Sequence, residues 1–150
     1  MQKSDCLFCK IVNGKIPSYK IWEDKNHIAI LDIFPNTLGQ TLVIPKDHYE
    51  SYAFDMPEKP YSELMVASKA VGTLLDKKLK TQRTALVMEG MGVNHVHIKL
   101  YPLHGIDAKF KEMWAKDERY FDKYEGYLST VLGPKANDKE LAALAKKFSK

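Results

Sequence analysis

The sequence predicts an α+β fold: a five-stranded, mostly antiparallel sheet with its helices on one face, one of them long, followed by a helical C-terminal extension. Three observations lead there. Short runs rich in β-branched and aromatic residues alternate with turn formers over the first 45 residues and again between 84 and 101. Between them, one stretch spaces its apolar residues by three and four. The 150 residues are 45% apolar and 28% charged, enough for a single domain with its own core.

Residues 6 to 13 read as a short helical turn closed by Asn13-Gly14 and followed by Pro17. Tyr19 to Glu23 and His27 to Ile33 read as two strands around the turn-forming Asp24-Lys25-Asn26. Pro35, Asn36 and Gly39 mark a loop, and Thr41 to Ile44 is a third strand stopped by Pro45. From Pro60, the residues Tyr61, Leu64, Met65, Ser68, Val71, Leu75 and Leu79 lie on one face of a helix. Thr84 to Met88 and His95 to Tyr101 are the last strands, joined by the glycine-containing loop Glu89 to Asn94. Residues 106 to 150 carry Trp114, Tyr120, Phe121, Tyr124 and Tyr127 among charges, which reads as an arm packed on residues 1 to 105 or on a partner chain. A final helix follows, with Asn137 as its N-cap and Glu140 three residues on.

Composition removes several classes. No apolar run approaches the roughly 20 residues of a membrane span, so no membrane partner is expected. The first ten residues lack the apolar core of a secretory signal, which points to the cytoplasm. The net charge of +4 is spread among acidic residues, leaving no basic stripe for nucleic acid. Two cysteines, Cys6 and Cys9, cannot build a disulfide framework in a reducing compartment.

The last strand carries most of the chemistry. Alternation places His95, His97, Lys99 and Tyr101 on one face and Val96, Ile98 and Leu100 on the other. Two histidines and a lysine in register beside a glycine loop have two functional readings. Both rings can ligate one metal, or one ring can act as nucleophile or base while its neighbours hold an anion. The spacing alone leaves both open.

Four segments in order add a resemblance: Cys6 to Pro17, Ala29 to Pro35, Gly39 to His48, and His95 to Leu100. Together they resemble the histidine triad (HIT) family of nucleotide-binding hydrolases and transferases, over about residues 6 to 105. The resemblance implies a homodimer joined through the long helix and a neighbouring strand. Its partner would be a purine nucleotide or nucleotide conjugate, such as a phosphoramidate or dinucleoside polyphosphate. His95 matches the first histidine of the His-x-His-x-His motif and His97 the second, the family's nucleophile at the α-phosphorus. That ring is expected at the mouth of a cleft.

Lys99 stands where the third histidine is usual, keeping a cation for phosphate oxygens but not an imidazole's proton chemistry. Gln40 likewise replaces a histidine, and Lys99 and Gln40 are placed with His97 in the catalytic set. The resemblance implies a nucleotide pocket from Phe8, Ile11, Ile30 and Ile33, with Asp32 bonding the ribose hydroxyls. Met88 and Gly92 stand where relatives carry polar ligand contacts. In bacterial members a cysteine pair joins two histidines on structural zinc, here Cys6, Cys9, His48 and His95, a donor set suited to tetrahedral Zn²⁺. A pocket that binds nucleotide with weak or no turnover is the alternative function.

Overall fold

The computed structural model describes residues 3–113, 123 and 135–148. Five strands, β1 (Lys20–Glu23), β2 (His27–Leu31), β3 (Thr41–Pro45), β4 (Thr84–Val87) and β5 (Ile98–Pro102), form one sheet in the order β1-β2-β3-β5-β4. Every neighbouring pair is antiparallel. The helices are α1 (Leu7–Val12), α2 (Glu58–Leu79) and α3 (Asp138–Lys146), and Ala53–Asp55 makes a 3₁₀ turn ahead of α2. The aromatic residues Trp114, Tyr120, Phe121, Tyr124 and Tyr127 lie outside the described residues. Among the described residues, no helix is long and apolar enough to cross a membrane.

Register divides the sheet into two faces. The pairs Ala29–Val43, Val43–Ile98 and Thr41–Leu100 point to one side, where α2 lays down Leu64, Ala67, Val71 and Leu75. Each buried Leu or Val contributes about 1.5–3 kcal/mol relative to exposure, so this stripe accounts for the helix's placement. Leu141, Leu144 and Phe148 close the same core beside β1. On the other side the pairs Ile28–Ile44 and Ile30–Leu42 meet Phe8 of α1, with Ile11 packed at the margin.

Two elements depart from the sequence reading. Alternation across 95–101 holds, but the ladder begins only at Ile98. The Val96 N–H donates to the Tyr49 carbonyl at 3.0 Å, so residues 95–97 run along the loop after β3 instead of along β3 itself. The helices were expected on one face, whereas α1 crosses the opposite one and makes a second small core there.

Candidate functional site

Beneath α1, four side chains converge from three segments. Cys6 caps the start of α1 and Cys9 lies within it; His48 follows β3, and His95 precedes β5. Their ligand atoms all lie within 4.8 Å of one another. The Cys6 Sγ is 3.4 Å and the Cys9 Sγ 3.6 Å from the Nδ1 of His95, and Cys9 Sγ is 3.5 Å from the Nδ1 of His48. Donors at usual zinc–sulfur and zinc–nitrogen bond lengths stand about 3.3–3.8 Å apart on a tetrahedron. The residues therefore fit a Zn²⁺.

The surroundings support that fit. The Nε2–H of His95 donates to the Pro45 carbonyl at 3.0 Å, leaving the bare Nδ1 toward both sulfurs. A fixed tautomer of this kind is what a ligating imidazole requires. Burial pulls the pKa of His95 down to about 4, which keeps it a neutral donor, and burial raises that of the Cys9 thiol. A bound cation reverses the thiol's preference. The Lys3 N–H already points at Cys9 Sγ from 3.4 Å. A cavity of about 270 Å³ lined by Lys3, Cys6, His48 and Asn94 gives the cluster an approach from solvent.

His97 lies on the same face of the sheet. Its Nδ1–H donates to the His95 carbonyl at 2.8 Å, so the lone pair belongs to Nε2. The expectation of a ring at an open cleft mouth is corrected: the residue is only 3% exposed, because Phe8 of α1 stands edge-on to it at 5.1 Å between centroids. Nε2 makes no hydrogen bond among the described residues, yet it is not one of the sealed, unpartnered polar atoms. Burial, with the Lys99 charge adding to it, lowers the pKa of His97, while Asp32 and Glu89 pull the other way. The neutral, nucleophilic ring is favoured.

Lys99 pairs with Leu42 in the register and lies beyond His97 on this face. Its Nζ meets Glu89 Oε2 at 3.1 Å, with the two side chains 19% and 8% exposed. Sequence reasoning missed Glu89, for nothing marks a lone acid at the start of a glycine loop. Gln40 is buried, and its Nε2 donates to Asp32 Oδ2 at 2.7 Å while its Oε1 accepts from the Asn36 N–H at 2.9 Å. Asp32 Oδ1 accepts from the Phe34 N–H at 2.8 Å. Gln40 therefore pins the loop between β2 and β3 as well as the carboxylate.

The structure gathers Phe8, Ile11 and Ile30 around the second core. Met88 packs against the core under α2, Ile33 is 41% exposed, and Gly92 is exposed with open space beside it. A larger cavity of about 580 Å³, lined by Gln82, Arg83 and residues from Leu103 to Met113, contains none of the expected site residues. Volume does not choose the site here; the convergence of cysteine, histidine and charge does.

Comparison with known proteins agrees with this architecture. A family model described as the HIT domain matches residues 13–105. An uncharacterized HIT-like protein of Methanocaldococcus jannaschii is 38% identical over 109 residues, covering 69% of this chain and 83% of that protein. The adenosine 5'-monophosphoramidase HNT1 of Saccharomyces cerevisiae is 34% identical over 124 residues, 79% of this chain and 75% of the yeast protein. Among solved structures, a hypothetical histidine triad nucleotide-binding protein of Sulfolobus tokodaii superposes with a TM-score of 0.73 at 26% identity, covering 95% and 89% of the two chains.

Proposed function

This chain belongs to the HIT family, and from that premise we propose that it binds a purine nucleotide derivative and cleaves it at the α-phosphate through a nucleotidyl-histidine on His97. One observation carries the reading. The His95 carbonyl takes the Nδ1–H of His97, so the free Nε2 holds the lone pair that would meet phosphorus. The relation to the yeast adenosine 5'-monophosphoramidase supports a hydrolase acting on a derivative of a nucleoside monophosphate.

In this reading Phe8, Ile11, Ile30 and Ile33 line the base and ribose side, and Asp32, pinned by Gln40, meets the ribose hydroxyls. Lys99 faces the phosphate oxygens, and Gly92 leaves room on the loop before His95. Met88 contributes only through the core behind the sheet. Cys6, Cys9, His48 and His95 would hold zinc, which when bound supplies a cross-link between segments. Residues 1–105 carry the catalytic body, and two protomers join through α2, where Val66 is exposed, and a neighbouring strand. Sedimentation at micromolar concentration gives the mass of a dimer if that interface forms.

Incubation with an adenosine phosphoramidate or a dinucleoside polyphosphate should release a nucleoside monophosphate, and rapid quenching should trap the nucleotide on His97. His97→Asn should lose the label and at least about a thousandfold in rate, as removal of a covalent nucleophile commonly does. Tight nucleotide binding with no release from either substrate would select the non-catalytic alternative. Equal rates for wild type and His97→Asn would reject the role of His97.

A further inference from the structure

We infer that the Lys99–Glu89 pair makes the site selective for leaving groups that depart as weakly basic anions, such as phosphates and other anhydride partners, over amines. The inference rests on the proposed attack by His97 and adds to it the class of bond cleaved.

Each of the other histidines is already committed. His27 is tied to Asp24 at 3.1 Å, His48 and His95 join the cysteine cluster, and the Nε2–H of His104 donates to the Leu38 carbonyl at 2.9 Å. His97 is the attacking group. No imidazole is left on the phosphate side of the sheet to protonate a leaving group. What stands two residues beyond His97 is an ammonium, 3.1 Å from the Glu89 carboxylate.

An ammonium in model peptides is a weaker acid than imidazolium by about four pKa units. Donating its proton would also remove the cation from a carboxylate that is only 8% exposed, at a desolvation cost. Lys99 is therefore suited to stabilising negative charge as it develops, not to delivering a proton.

The two bond types respond differently. In an anhydride or aryl ester, Nε2 of His97 donates its electron pair to phosphorus, the P–O bond breaks, and the oxygen leaves with that bond's electrons as an anion; no proton moves. Water then attacks phosphorus, the P–N bond to His97 breaks with its electrons returning to Nε2, and the water's proton passes to solvent. In an alkyl phosphoramidate the departing nitrogen must gain a proton before or while the P–N bond breaks. A well-matched general acid contributes about 100-fold or more to such a step, and among the described residues this site offers no imidazole for it.

The test compares an AMP aryl ester with an AMP N-alkyl phosphoramidate on the purified full-length chain. The wild type should favour the aryl ester by at least tenfold beyond the ratio of the uncatalysed rates. Lys99→His should narrow that preference by about 100-fold, chiefly through kcat on the phosphoramidate. A wild-type preference below tenfold overturns the inference, whatever the variant does. If Lys99→His fails to fold, the wild-type ratio alone decides. Release from neither substrate, with no nucleotide on His97, overturns the catalytic reading and this one with it, whereas labelling of His97 with equal rates overturns only this one.

Discussion

At the scale of single residues, two positions are set by local physics alone. Ser68 lies on the buried stripe of α2 at 1% exposure, and its Oγ has no hydrogen-bond partner among the described residues. A buried hydroxyl without a partner costs about 1–3 kcal/mol, and alanine is the better helix former. Ser68→Ala should leave stability unchanged or raise it by about 1 kcal/mol in urea denaturation; a loss above 1 kcal/mol would mean the hydroxyl has a partner after all. Gly90 is the opposite case. It sits at φ +79°, and a Cβ there would come 2.5 Å from the Ser51 carbonyl oxygen, a backbone atom that cannot swing away. Gly90→Ala should destabilise by about 2 kcal/mol or more by the same measurement, from combined strain and clash. Because Glu89 precedes it, the variant should also disturb the salt bridge to Lys99.

At the scale of elements, α3 illustrates how much its ends matter. The Asn137 side chain accepts from the N–H groups of Lys139 and Glu140, and Tyr19 donates to Asp138 at 2.9 Å. Asn137→Ala should cost about 1 kcal/mol and speed hydrogen exchange in α3 ahead of the sheet; uniform exchange changes would contradict a local cap. This cap was legible in the sequence, as were all five strands and α2, because alternation, helical spacing and turn formers mark them directly. The start of β5 was not, since the partner of Val96 is the Tyr49 carbonyl, a backbone group brought in by the loop after β3. Nor was the burial of His97, which follows from α1 crossing the sheet, a tertiary event that six helical residues do not announce. The cysteines and histidines of the cluster were legible only through a family resemblance, being up to 89 residues apart. Glu89 and the Pro45 carbonyl were invisible for the same reason: each acts through a contact, not a pattern.

At the scale of the whole molecule, the cysteine–histidine cluster joins α1, the segment after β3 and the segment before β5, contacts separated by 39 to 89 residues of chain. A cross-link over such separations restricts the unfolded chain strongly, and an ion that binds only the folded arrangement adds its binding free energy to folding. Without the ion, the folded state keeps a buried Cys9 thiol and a buried His95 facing one another across a weak sulfur–nitrogen contact of 3.6 Å. Stripping zinc with a high-affinity chelator should therefore lower the thermal midpoint by about 6–12 °C, the shift about 3 kcal/mol produces in a chain of this size. Added Zn²⁺ should restore it. Cys9→Ser should start near the stripped midpoint and ignore both chelator and zinc, since a serine oxygen is a poor substitute for thiolate at such a site. Metal analysis of the untreated protein should give one zinc per chain. A midpoint that does not move on chelation, in a protein containing stoichiometric zinc beforehand and none afterwards, would remove the metal from the account of stability and leave the small core around Phe8 to hold α1 in place.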